Sequence, residues 1–241
     1  MKLSANSTSR QRLYAVGDIH GRIDLLSRLL AEIEADAMRH EGRKKKLIFL
    51  GDYVDRGIDS RAVLERLTQG FAAGLDPVFL RGNHEDMMLT FMKGRLEVAD
   101  LWLTHGGVPT LASYGLHAFV GHPATRTPAF AKELAQKVPP HHHAFLENTI
   151  FSATFGDYYF VHAGVRPDVP LDKQKPDQQM WIRGEFLYST HDFGKIVVHG
   201  HTIVGEPEVR PNRIDIDTGA YATGRLTCLV LDGATRSFLS T

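Results

Sequence analysis

The chain has 241 residues, 43% hydrophobic and 23% charged, with 28 Lys plus Arg set against 28 Asp plus Glu. This composition suits a globular protein long enough for one large α/β domain, and zero formal charge excludes a global field that would draw it onto nucleic acid or an acidic membrane. A single cysteine, Cys228, excludes an intrachain disulfide, no apolar run approaches the ~18–20 residues of a membrane span, and residues 1–10 form a short polar tail with no signal-like stretch, so the expected location is cytoplasmic.

In chain order, RLYAV reads as a strand and is followed by the turn GDIHG, residues 17–21. Leu26, Leu29, Leu30, Ile33 and Ala37 then recur at helical spacing and predict a helix over about 23–38. KKLIFL is a second strand, preceded by RKKK at 43–46 as a solvated loop, then followed by GDYVDRG at 51–57 and a helix from about Ser60 to Gln69. DPVFL is a third strand, followed by RGNHE and a helix starting near Asp86, with Met87, Met88, Phe91 and Met92 on its core face. Strand, polar turn and helix, three times over, is the pattern of parallel βαβ units. Residues 93–148 read as a mainly helical excursion within one domain spanning 11–241; its PPHHH, 139–143, is expected to be a helix entry with exposed imidazoles. Strand signals return at YYFVHAG, KIVVHGH, RIDIDTG, RLTCLVLD and RSFLS.

In open α/β sheets the turns beyond the carboxyl ends of strands gather at one edge. That rule brings Asp18, His20, Asp52, Asp55, Arg56, Asn83 and His84 together, with His162 and His201 joining from later strand ends. Imidazole and oxygen donors without thiolate suit manganese, iron(II) or zinc. They are too many for one ion; in two-metal sites the ions lie ~3.5–4 Å apart, and Asp52, from the middle turn, is the natural bridge. Two divalent ions against Asp18, Asp52 and a bridging hydroxide leave a formal charge of about +1 before Arg56 is counted, so the site wants an anion. Phosphate-ester hydrolysis, with enzymatic accelerations reaching ~10²¹, is the reaction that most needs paired Lewis acids and a charge clamp.

With GDIHG, GDYVDRG and GNHED in this order, followed by VHAG, MWIRGEFL, HGHT and NRIDIDTGA, the chain resembles the phosphoprotein phosphatase (serine/threonine phosphatase) family of calcineurin-like metallophosphoesterases, in its compact bacterial branch. The resemblance implies two mixed β-sheets sandwiched between helices, with a dimetal site at the carboxyl edge of the strands. It implies two divalent ions, manganese first, with iron or zinc as alternatives. Asp18 and His20 would hold the first, Asn83, His162 and His201 the second, and Asp52 would bridge. Arg56, Arg183 and Asn83 would bind the phosphoryl oxygens. His84 would protonate the leaving group, with Asp55 orienting its ring.

The activity implied is a serine/threonine protein phosphatase acting by in-line attack on a phosphoprotein or phosphopeptide, with phosphotyrosine also within reach and no nucleic-acid or membrane partner. A dinucleoside polyphosphate or other small-molecule phosphohydrolase on the same dimetal core is the first alternative. An inactive phosphoprotein-binding adaptor is the second, and the complete ligand set argues against it. His105 stands where bacterial relatives often have Asn, which bears only on the substrate rim, and His199 reads as support for the ligands or as core.

Overall fold

Alternation along the first strands decides the layering of the computed structural model, which describes Asn6 and residues 11–241; the rest of the expected polar tail lies outside the described residues. β1 (Gln11–Val16), β2 (Lys44–Phe49) and β3 (Leu75–Phe79) pair in parallel, with α1 (Ile23–Met38) and α2 (Ser60–Leu67) between them. The lysines of RKKK lie inside β2 rather than in a loop before it, and Lys46 pairs with Asp76 on β3. α3 (Asn83–Met92) begins at Asn83, three residues before the expected start, because Glu85 turns back to accept from the Gly82 N–H and satisfies a donor the helix leaves free. Asn83 and His84 are therefore held in a helical turn.

The excursion contains α4 (Ala99–Trp102), α5 (Val108–Ser113), α6 (Pro128–Lys137) and α7 (Pro140–Glu147), whose Trp102, Leu111, Leu134 and Leu146 join the core around α1–α3. Then follow β4 (Ser152–Phe155), β5 (Tyr158–Val161), α8 (Pro176–Trp181), α9 (Gly184–Leu187), β6 (Ile196–His199), β7 (Glu208–Val209), β8 (Arg213–Asp215), α10 (Ala220–Thr223), β9 (Thr227–Asp232) and β10 (Thr235–Ser240). The sheet orders are β10-β9-β1-β2-β3 and β4-β5-β6-β8-β7, so the β-rich second half is divided: its last two strands return to the first sheet, β9 antiparallel to β1 and β10 antiparallel to β9.

Leu13, Ala15, Ile48 and Leu50 point between the sheets and meet Tyr158, Phe160, Val198 and Ile214. Their neighbours Tyr14, Val16, Leu47 and Phe49 point the other way, onto the α1–α3 layer, as a period of two requires. On the outer face of the second sheet Tyr159, Val161 and Val197 pack with Ile182 and Phe186. The result is helix, sheet, sheet, helix.

α1 is fastened to β1 by a buried carboxylate: Asp36 Oδ2 accepts from Tyr14 Oη at 2.7 Å and from Arg12 Nη2 at 2.7 Å. Burial would raise the Asp36 pKa, but the hydrogen bonds from Tyr14 and Arg12 outweigh it and hold the carboxyl below its ordinary 3.8. The resulting stabilisation is fully present above the ordinary value and fades as pH falls through the lower folded one. Asp36→Asn is expected to lose ~1.5–3 kcal/mol at pH 7, and to lose less in the most acid samples of a urea-unfolding series. An equal loss at every pH would contradict the ionised role.

Candidate metal centre

β1, β2 and β3 of one sheet and β5 and β6 of the other deliver their carboxyl ends to one edge, where the His162 Nδ1–H donates across the gap to Leu50 O at 3.0 Å. Every expected ligand arrives there and is buried: Asp18, His20, Asp52, Asn83, His162 and His201. Asp52 Oδ2 lies 3.5 Å from His20 Nε2 and 3.4 Å from His162 Nε2. His162 Nε2 is 3.0 Å from Asn83 Oδ1 and 3.2 Å from His201 Nδ1. The His201 N–H donates to Asp18 Oδ2 at 3.0 Å, which joins the two ends of the cluster. Asp52 is thus common to two potential ligand sets, one with His20 and one with His162 and His201.

The turns must bend sharply to do this. His20, Asp52, Asp55, Arg56 and His201 all have positive φ, between 48° and 73°. Glycines admit the close approaches: a Cβ at Gly82 would lie 2.1 Å from Asp52 Oδ1, and one at Gly200 would lie 2.2 Å from Asp18 Oδ1.

The donor chemistry fits cations. The Val54 and Leu50 carbonyls can only accept, so the Nδ1 atoms of His20 and His162 carry the protons and both Nε2 lone pairs face inward. Asp18 Oδ1, His20 Nε2 and His201 Nε2 are buried with no hydrogen-bond partner. Burial, then the neighbouring His84, holds His20 well below its ordinary value, and burial with His162 does the same to His201, so both are neutral donors. Burial and the charges of Asp217 and Asp52 push Asp18 up, a repulsion that bound cations would relieve.

His84 stands apart. Burial would lower it, but Asp52 and the hydrogen bond to Asp55 prevail, and its pKa lies above the ordinary 6.5. Its Nδ1–H donates to Asp55 Oδ2 at 2.7 Å, while Nε2 faces Arg56 Nη2 at 3.3 Å and Asp52 Oδ2 at 3.8 Å. Arg56 lies over the Tyr221 ring, 4.8 Å from its centroid. Arg183 is exposed at the rim, where its Nη1 donates to Thr202 Oγ1 at 3.3 Å. His199 is buried beneath the site against Phe186 and donates toward Gly200 O rather than facing the ligands.

Several residues of the site were not anticipated. Asp55 is braced from the excursion, by Trp102 Nε1–H at 2.8 Å on Oδ2 and Thr110 Oγ1–H at 2.6 Å on Oδ1. The Arg56 N–H donates to Gly106 O, so residues 102–110 form part of the site wall rather than a rim alone. Glu85 accepts from the N–H groups of Asp52, Tyr53, Val54 and Gly82 and ties two of the turns together. Asp217 follows β8 as Asp18 follows β1, a repeated strand-ending aspartate that the strand pattern could have flagged; its Oδ2 is buried and unpartnered.

Residues 11–218 match the model of the calcineurin-like phosphoesterases. The chain belongs to that family, a hydrolase with a dimetal phosphoesterase fold. It is 27% identical over 231 residues to the asymmetrical bis(5'-nucleosyl)-tetraphosphatase PrpE of Anoxybacillus flavithermus, covering 89% of this chain and 88% of the relative. The protein of the same name from Bacillus cereus is 28% identical over 232 residues, with the same coverage. Among solved structures, a protein provisionally named a diadenosine tetraphosphatase superposes with a TM-score of 0.67 at 22% identity over 98% of both chains. The cold-active protein-tyrosine phosphatase of a psychrophilic Shewanella superposes with 0.57 at 17% identity, over 96% of this chain and 82% of that one. The motifs therefore identify the family, while the two sequence relatives bear the name of the small-molecule alternative rather than of a serine/threonine phosphatase.

Proposed function

We propose that the protein hydrolyses dinucleoside polyphosphates, cleaving a phosphoanhydride of a bis(5'-nucleosyl) tetraphosphate. The observation that carries this reading is the end-to-end similarity to two relatives of that name, over 89% of this chain. The site supports it with an aromatic ring on each flank. Tyr221 lies beside His20 and under Arg56, and Trp181 lies 6.2 Å from His201, two residues before Arg183. A molecule with a base at each end of a phosphate chain can use both rings, since base–aromatic stacking contributes ~1–3 kcal/mol per base.

Asp18, His20 and Asp52 are assigned to one cation and Asp52, Asn83, His162 and His201 to the other. When bound, the two cations polarise the phosphoryl group and lower the pKa of coordinated water towards neutrality. Arg56 and Arg183 hold the phosphoryl oxygens, with Tyr221 limiting the swing of Arg56. The oxygen of water joins phosphorus as the bridging P–O bond breaks, and the bridging oxygen leaves with the departing nucleotide. His84, held in one orientation by Asp55, Trp102 and Thr110, carries the proton that neutralises it.

A second reading, a phosphoprotein or phosphopeptide monoesterase, is favoured by the raised pKa of that same His84, because a serine alkoxide needs an acid more than a phosphate leaving group does. Diadenosine tetraphosphate and a phosphoserine peptide, assayed side by side with manganese, separate the two. The expected result is ATP and AMP in equal amounts at a rate well above phosphate release from the peptide. The reverse preference would replace the nucleotide reading with the protein-phosphatase one.

A further inference from the structure

Outside this site, a second group of ligand-type side chains meets where α2 packs near α7. His141 Nε2 lies 3.0 Å and His142 Nε2 3.1 Å from the same atom, Glu65 Oε2, and the two imidazole rings are 4.4 Å apart, edge to face. Sequence alone suggested exposed imidazoles in PPHHH. His142 is instead fully buried, and only His141 and Glu65 remain about half exposed.

We propose that Glu65, His141 and His142 form a binding site for one borderline divalent cation of the zinc, nickel or copper(II) class, which clasps the helical excursion to α2. The ligand atoms all lie within 4.8 Å of one another, compatible with ligands ~2.0–2.2 Å from a common ion after small rotamer changes. Two imidazoles and one carboxylate leave a further coordination position open on the solvent side. The buried ring is prepared for the role. Tyr114 Oη sits 2.9 Å from His142 Nδ1, so it can accept Nδ1–H once Nε2 turns its lone pair to an ion, the outer partner that ligating histidines regularly have. Burial and the adjacent His141 keep His142 below its ordinary pKa, so that the neutral ring need only exchange tautomer.

The surroundings also set selectivity. Arg61 lies one turn before Glu65 on α2, and the positive end of α7 carries both histidines, so every divalent ion meets the same opposing charge with only one carboxylate to offset it. Imidazole affinity must dominate, which favours zinc, nickel and copper over magnesium and manganese.

The test counts zinc by elemental analysis after equilibration and desalting, in the full chain and in the His141→Ala and Glu65→Gln variants. Both altered side chains are exposed and lie outside the active site, so its own metal load is common to all three proteins. The parent is expected to retain one zinc per chain more than either variant, and zinc-edge anomalous scattering from parent crystals to peak between the three ligand atoms. Manganese under the same conditions is expected to show no such difference. Equal zinc in all three proteins, or no anomalous peak beside His141 and His142, would overturn the site; an equal manganese response would overturn its ligand class.

Discussion

Asp52→Asn is expected to lower turnover ~10³-fold or more and to retain at most one manganese per chain where the parent is expected to retain two. Asp52 Oδ2 is the atom that lies within 3.5 Å of both His20 Nε2 and His162 Nε2, so the substitution removes charge from both ligand sets at once. The asparagine keeps the shape, and its oxygen can still accept from the His84 N–H that now reaches Asp52 Oδ1 at 3.2 Å. What it loses is the anion on which two cations depend, and Lewis-acid assistance contributes several kcal/mol to such a transition state, with 1.36 kcal/mol for each factor of ten. Diadenosine tetraphosphate hydrolysis and manganese content, measured on the same preparations, check it. Parent-like turnover in the variant would remove the shared-carboxylate mechanism altogether.

Glu85→Ala is expected to carry the largest stability loss of any single substitution at the site, at least ~4 kcal/mol. Four N–H groups converge on this carboxylate, from Tyr53 at 2.7 Å, Asp52 at 2.8 Å, Gly82 at 3.0 Å and Val54 at 3.2 Å. All lie in the interior, and each donor left unpaired there costs ~1–3 kcal/mol. Against a whole-domain stability of ~5–15 kcal/mol, that is a large share of what holds the fold together at room temperature. Glu85→Gln should fall between, since an amide oxygen can serve part of the set while its NH₂ opposes the rest. Urea midpoints for the three proteins provide the measurement. A parent-like midpoint for Glu85→Ala would mean that water reaches those donors and that the carboxylate is not the fastening between the turns.

The strands before the three polar turns could be read because their apolar runs end abruptly in Gly-Asp or Arg-Gly pairs, and the rule that such turns share an edge then brought the ligand residues together. Less legible were contacts made across the chain without a period to announce them. Trp102 and Thr110 reach Asp55 from 47 and 55 residues away, and each looks like ordinary helix filling in its own segment. Glu85 was visible as part of a helix start, but its service to the turn after β2 depends on how closely two loops pass. The two-residue strand β7 and the short edge strand β4 carry too little pattern to notice, and nothing local says that β9 returns to β1. The substrate lay further out of reach, because the motif residues grip a phosphoryl group whatever is attached to it. The rings proposed to meet the bases, Tyr221 and Trp181, look like core residues until their neighbours are known.

The left-handed backbone at His20, Asp52, Asp55, Arg56 and His201 sets a ceiling on how robust this enzyme can become while it still works. Such torsions cost on the order of 1–3 kcal/mol each where the side chain is not glycine, and none can be relaxed without losing an imidazole, carboxylate or guanidinium. Thermal hardening by mutation must therefore be sought in the helices and outer loops. By the same reasoning, a deliberately inert His201→Gly protein, compared without cations, should outlast His201→Ala on heating.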